Sequence, residues 1–332
     1  MEGTSNVFAI KHKNIDTRIE SQSGGMFTAL SDVVLSAGGV VYGCVLNEDF
    51  DAIHMRADNA EMRNRMRGSK YVQSNMTDIF RQVQRDLVSG KQVIFTGTSC
   101  QVGGLKSFLG GEYPNLLCVD IVCHGVPSPK VWKRYIEWQE ENNHGKCVAV
   151  NFRNKKKYGW NSHYETLVLR KKNGTDKVVS SGVYKTIFYE HNTLRPSCYR
   201  CPYKSTEHPG DITIADCWGI ENAIPGYGDD NMGVSLVIIN TEAGKTAFDL
   251  SKDSFECVEC DINKCMQPTM IKPFAEPLER KEFWSDFQEK TFSYIAAKYG
   301  KHTSLDSIKI EVWNIKRKIK GVLKNTKQHR SK

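Results

Sequence analysis

The feature that most constrains the fold is a repeated switch in the period of the apolar residues over the first 145 positions. Phe27, Leu30, Val33 and Val34 recur at helical spacing between Met26 and Ser36, and Gly38-Gly39 stops the run. Val40 to Leu46 and Ala52 to Ala57 then read as strands. Ile79, Phe80, Val83 and Leu87 return to a helical face, Lys91 to Thr96 is a strand of the buried type, and Leu105 to Leu109 belongs to a short helix. Leu116 to Val122 is another buried strand, and Val131, Tyr135 and Trp138 mark an amphipathic helix over 128–141. Strands alternating with helices call for a largely parallel sheet covered by helices.

Beyond residue 145 the pattern becomes more antiparallel. Val148 to Phe152 and His163 to Arg170 read as strands, and Asn173-Gly174 is a hairpin signal before Val178-Val179. Asp211 to Asp216 and Val234 to Asn240 are further strands, followed by a helix from Glu242 to Leu250. After Pro277 the chain reads as helix, anchored by Phe283, Trp284, Phe287 and Phe292. The expectation is an α/β fold: a mixed, mainly parallel sheet covered by helices, a more antiparallel second half and a helical C-terminus. The parts expected are 1–145 (α/β), 146–270 (α+β) and 271–332 (helical, with a basic tail).

The formal charge of +8 is concentrated at one end. Lys316, Arg317, Lys318, Lys320, Lys324, Lys327, Arg330 and Lys332 face no acidic residue after Asn314, and without them the 38 remaining basic residues match the 38 acidic ones. A neutral body does not suit nucleic acid. The tail reads as a solvated basic helix or as a peripheral contact with anionic lipid or an acidic partner. No run approaches the ~20 apolar residues of a membrane span, and no export signal is visible in MEGTSNVFAIKHKNIDTRIE. The expected setting is a reducing cytoplasm.

Eleven cysteines in such a setting suggest metal or redox chemistry rather than structural disulfides. Cys44, Cys118 and Cys147 lie in apolar runs and read as small hydrophobes. Cys100, in VIFTGTSCQ, and Cys123, in CVDIVCHG, each follow a buried strand. If those strands are parallel neighbours, both thiols emerge at the edge where open α/β sheets bind ligands. Cys198-Tyr-Arg-Cys201-Pro202 supplies two more sulfurs at the spacing of one metal centre. Spacing alone leaves four readings open: a 4Fe–4S cluster, a four-cysteine zinc site, a dithiol at Cys198 and Cys201, or no site. SQSGGMF before a helix, GSKYVQS and GTSCQVGG add glycine turns that suit a nucleotide pyrophosphate, although none is a dinucleotide or P-loop fingerprint.

Taken in order, SGGMFTAL, RGSKYVQS, FTGTSCQVGGLKSFL, VDIVCHGVPSPKVW, LRPSCYRCPYK and DITIADCWGI resemble the beta subunit family of coenzyme F-420 hydrogenases and dehydrogenases. The resemblance runs from Phe8 to Cys260. It implies an iron–sulfur flavoprotein oxidoreductase with a 4Fe–4S cluster and FAD. Electrons would pass between a ferredoxin-like donor, the cluster, the flavin and a small-molecule or glycan-precursor substrate, with a link to polysaccharide biosynthesis. Cys100, Cys123, Cys198 and Cys201 would be cluster ligands, and Ser23, Gly24, Gly25, Ser69, Lys70, Tyr71 and Gln73 would lie near the FAD. His124 is the candidate catalytic proton donor, and Trp218 reads as a core aromatic or as a ring over a cofactor. The chain opens directly at VFAIKHKN, whereas many relatives begin with a ferredoxin segment, so a separate donor protein or a truncated gene product is expected. Ser99 stands where relatives usually have Pro. Cys257, Cys260 and Cys265, with Cys217 as a fourth candidate, fall outside the family's set and read mainly as incidental, a second metal site being the alternative. The alternative functions are a non-catalytic electron-transfer subunit and a zinc-stabilised binding module.

Overall fold

The structure, a computed structural model, describes residues 6–228 and 230–301. The basic tail after Asn314 lies outside them. Among the described residues, eleven strands form two sheets. The strands are β1 (Val7–His12), β2 (Val40–Leu46), β3 (Ala52–Ala57), β4 (Val93–Thr98), β5 (Leu116–Ile121), β6 (Gly145–Asn151), β7 (Glu165–Lys171), β8 (Asp176–Ser181), β9 (Ile212–Asp216), β10 (Ser235–Ile239) and β11 (Phe255–Glu259). The large sheet has the order β11-β1-β10-β9-β5-β4-β2-β3. Its middle block, β2-β4-β5-β9, is parallel, and the flanking strands pair antiparallel.

Local chemistry explains the central units. Val93, Ile94 and Phe95 are buried to within 1%, as expected of a strand covered on both faces. The chain then turns directly into the helix Ser99–Leu109 through a capping box. There the Thr98 amide donates to Gln101 Oε1 at 2.9 Å while the Thr98 side chain receives the Gln101 backbone. Gly110, at φ 66°, ends that helix. Pro129 occupies the first turn of the helix Pro129–Asn143, where its missing N–H costs nothing.

The small sheet, β6-β7-β8, is antiparallel. Its hairpin turns at Asn173-Gly174, where Asn173 Oδ1 accepts from the Thr175 amide at 3.1 Å and Gly174 takes φ 81°. Leu167 and Leu169 pack with Trp132, Tyr135, Tyr184 and the C-terminal anchors Phe283, Phe292 and Ile295. Those anchors belong to the helices Arg280–Glu289 and Phe292–Lys298. Among the described residues, no helix is long and apolar enough to cross a membrane.

Two strands were invisible to pattern reading. β1 and β11 extend the large sheet at one edge, joined as Phe8↔Glu259 through His12↔Phe255. β11 alternates poorly because Glu256, Cys257 and Glu259 are exposed on an edge.

One glycine is fixed by this arrangement. The loop after β1 returns against β10 so closely that a Cβ at Gly24 would lie 2.2 Å from the Ile10 carbonyl and 2.5 Å from the Ser235 amide. Both obstacles are backbone, so relief requires strand movement. Gly24→Ala is therefore expected to cost about 1–3 kcal/mol, as other overpacking substitutions do. The check is the urea midpoint, and an unchanged midpoint would contradict the close approach.

Candidate functional site

β4 and β5 are parallel neighbours in the register Val93↔Leu116 to Thr98↔Ile121, so their carboxyl ends finish together. Cys100 lies in the first turn of the helix that follows β4, with its sulfur 3.1 Å from Thr98 Oγ1. Cys123 lies two residues beyond β5. Both thiols therefore reach the same edge of the sheet.

Cys198 and Cys201 come from a 3₁₀ turn, Pro196–Arg200, far along the sequence. A short antiparallel ladder brings them in. Pro127 bridges Leu194, the Ser128 amide donates to the Thr193 carbonyl at 3.0 Å, and the Arg195 amide donates to the Val126 carbonyl at 2.9 Å. The Cys198 amide then closes the turn onto the Arg195 carbonyl at 2.8 Å.

Lys204 marks the meeting point. Burial lowers its pKa, and Cys123, Cys201, Cys198 and Cys100 each act in the opposite direction, so a thiolate at any of the four would stabilise its ammonium. The Lys204 Nζ also donates to the Cys123 carbonyl. Burial pushes the Cys123 thiol up to about 12 and raises that of Cys198. Bound metal would have to supply the energy of their ionisation. Among the described residues, no three of these four sulfurs lie within 4.8 Å of one another. A single zinc ion would hold its thiolates about 3.8 Å apart.

A cavity of about 390 Å³ opens beside this edge. Its lining includes Cys100, Cys123 and His124, and, of the other residues anticipated from sequence, Ser23, Gly25, Ser69, Lys70, Tyr71 and Gln73. Gly24, Cys198 and Cys201 are not in that lining. The Gly24 amide is instead drawn into the sheet, donating to Ser235 Oγ at 2.8 Å.

The cavity has features of an anion and ring site. The helix Met26–Ser36 starts at Gly25 with no side-chain cap, and Met26 and Phe27 border the space. Arg67, Lys70 and Arg195 supply cations. Burial lowers Lys70 to about 8; its Nζ donates to the carbonyls of Arg65 and Arg67, both at 3.0 Å, leaving one further N–H. Two buried atoms of lining residues, Gln22 Nε2 and His54 Nδ1, have no hydrogen-bond partner within the protein. Such orphans are uncommon and fit a wall that completes its hydrogen bonds on a bound polar molecule.

The aromatic wall removes one of the two readings of Trp218. Trp218 is not a core residue: it is 37% exposed, lines the cavity and stacks on the buried Trp160 at 4.6 Å between centroids. Asp216 holds this pair in place, accepting from Trp160 Nε1 at 2.6 Å and from Arg153 Nη1 at 2.6 Å.

His124 lies against Phe188, Tyr189 and Phe274, and its Nε2 is 2.7 Å from His191 Nε2. Burial, then the His191 and Lys204 charges, lowers its pKa to about 3. The ring is neutral near pH 7, so one imidazole donates an N–H to the other rather than carrying a stored proton.

The second group of sulfurs differs from the sequence reading in its membership, with Cys217 in and Cys257 out. Cys217 follows β9, Cys260 follows β11 and Cys265 caps the turn Ile262–Lys264, yet all three are buried and their sulfurs lie within 4.8 Å of one another. Cys265 accepts the Cys217 S–H at 3.4 Å and sits 3.2 Å from Cys260. The Cys217 hydrogen bond leads the causes that lower Cys265, while burial leads those that raise Cys260. The exposed Cys257 stands apart. Only tertiary structure reveals this trio, because its members span 48 residues.

Comparison with known proteins follows the same lines. A family model for the C terminus of the coenzyme F420 hydrogenase/dehydrogenase beta subunit matches residues 90–263. Among solved structures, the chain resembles one from a xenon-derivatised F420-reducing NiFe hydrogenase complex of Methanosarcina barkeri. That likeness has 17% identity and a TM-score of 0.47, over 76% of this chain and 81% of the other. No curated protein matches the chain.

Proposed function

The chain belongs to the coenzyme F420 hydrogenase/dehydrogenase beta subunit family, and from that premise we propose that it is an FAD-dependent, 4Fe–4S oxidoreductase. The observations that support the proposal are that Cys100 and Cys123, past the ends of two parallel neighbouring strands, border one cavity, and that charges on all four cysteines would act on Lys204. Thiolates are the donor set of iron–sulfur clusters. A one-electron centre there would lie beside a ring-binding space.

When bound, the cluster would supply single electrons and the flavin would couple them to two-electron chemistry. The protein's own residues do the rest. Cys100, Cys123, Cys198 and Cys201 would hold iron, and the Lys204 ammonium would offset part of the thiolates' negative charge. The uncapped helix start at Gly25, with Lys70 and Arg67, would receive a pyrophosphate, while Ser23, Ser69 and Gln73 contribute polar edges. Tyr71 and Trp218 supply aromatic walls. His124, neutral and hydrogen-bonded to His191 through Nε2, would hold a polar edge at the cavity wall without bringing a net charge to the flavin. A separate ferredoxin-like protein is the proposed donor, and a small molecule or glycan precursor the proposed substrate.

Purification without oxygen tests this directly. The expected product is brown-yellow, with about four irons and matching acid-labile sulfide per chain, and FAD released on denaturation. Colourless protein free of iron and flavin would refute the proposal.

A further inference from the structure

We propose that Cys217, Cys260 and Cys265 form a second, independent metal site that binds one zinc ion. This goes beyond the cluster and flavin reading and does not depend on it. The sulfurs converge on one another: 3.4 Å separates Cys217 from Cys265, 3.2 Å separates Cys260 from Cys265, and all three lie within 4.8 Å. Zn–S bonds of about 2.3 Å place tetrahedral thiolates about 3.8 Å apart, so small shifts admit the ion. Cysteines serving only as hydrophobes would have no reason to face each other. The surroundings offer ample alternative contacts: Trp160, Ile220, Val234, Leu236 and Met270 share the same cluster.

The surroundings also select the metal. Thiolate sulfur prefers Cu(I), zinc or iron–sulfur centres. Three thiolates bring three negative charges into an apolar site. A divalent ion leaves one uncompensated and a monovalent ion leaves two, and burying residual charge is costly. A cluster would need its thiolates spread over several metal atoms, wider than this trio. Among the described residues, no His, Cys, Asp or Glu joins the group as a fourth ligand. The fourth position falls to solvent, on the side of Cys260, which is 6% exposed while Cys217 and Cys265 are at 0%.

The ion would act as a staple. It would tie the end of central β9 to the chain leaving edge strand β11, across β10 and β1. The backbone is already close here: a Cβ at Gly219 would lie 2.4 Å from the Lys264 carbonyl. Cys217 stands between Asp216 and Trp218, both of which line the cavity. The staple would therefore hold one cavity wall.

The experiment measures zinc and iron retained after desalting of anaerobically purified, full-length protein. Wild type is expected to keep one zinc per chain. Cys265→Ser and Cys260→Ser should lose it while their iron stays at the wild-type level, and Cys257→Ser should keep both. Equal zinc in wild type and Cys265→Ser would overturn the proposal, as would loss of iron rather than zinc in that variant. If the variants fail to fold, Co²⁺ titration of protein carrying Cys100→Ser, Cys123→Ser, Cys198→Ser and Cys201→Ser, first stripped of zinc with a chelator, supplies the readout, since that background lacks both the iron chromophore and the other clustered thiols. One equivalent of Co²⁺ should give a thiolate charge-transfer band that a chelator removes. Absence of the band would refute the site. An iron-free wild-type protein that still holds the zinc would sink the cluster reading alone.

Discussion

Cys198→Ser is expected to reduce bound iron from about four atoms per chain to fewer than one. Serine nearly preserves the shape of the side chain, so the 3₁₀ turn and its Cys198-to-Arg195 hydrogen bond should persist. What changes is the donor. A hydroxyl is a hard oxygen that stays protonated near neutral pH, whereas the cluster needs soft, ionised sulfur. The measurement is iron and acid-labile sulfide after anaerobic purification, with far-ultraviolet circular dichroism to confirm folding. Cys257→Ser, at an exposed cysteine outside both sulfur groups, is the matched control. A folded Cys198→Ser protein with wild-type iron would remove Cys198 from the ligand set.

Acidification should be the second large effect. Burial is the leading cause that lowers His54 to about 4, His124 to about 3 and His163 to about 3. In the unfolded chain each returns to about 6.5. Below pH 6.5 the unfolded state therefore takes up protons that the folded state refuses, and stability falls as pH falls. Each histidine contributes up to about 1.4 kcal/mol per pH unit until its folded pKa is reached. Glu165 opposes them. Its carboxyl, buried beside Tyr135 Oη and the Tyr184 amide, is raised to about 7 chiefly by burial. The folded state thus holds a proton that the unfolded chain releases between pH 7 and about 4.5, which cancels roughly one histidine. The net expectation is a loss of about 3 kcal/mol per pH unit below 6.5, large against a typical stability of about 5–15 kcal/mol. Urea unfolding at pH 7.0 and 5.5 measures it, and a constant midpoint would show that these rings are not buried neutral.

The central block of the sheet was legible because its signals are local. The buried strands at 93–98 and 116–121 are each short apolar runs with their cysteine a few positions beyond. That is why Cys100 and Cys123 could be set at one edge from sequence alone. β1 and β11 were missed for opposite reasons. VFAIKH is a short apolar run buried between two strands, without alternation, and FECVE is an edge strand whose charged residues mask its period.

The candidate site was legible in its residues more than in its relations. Ser23, Gly25 and Lys70 were readable as lining residues, but nothing local distinguishes Gly24, which faces a strand instead. Lys204 carried no signal, because its meaning comes from four cysteines in three stretches of chain. Trp218 could be read either as interior or as a ring at a cofactor site, since DCWG resembles any buried strand end. The trio at 217, 260 and 265 was obscured by Cys257, which shares the local cysteine run but not the pocket.

The ladder that joins Pro127 to Leu194 has an architectural consequence. The excursion that builds the small sheet leaves the body after Ser128 and rejoins it at Thr193, with those two residues hydrogen-bonded at 3.0 Å. Departure and return share one doorway. The number of residues beyond that doorway is thereby uncoupled from the spacing of Cys123 and Cys198, so insertions and deletions in the excursion can accumulate while the sulfur geometry stays put.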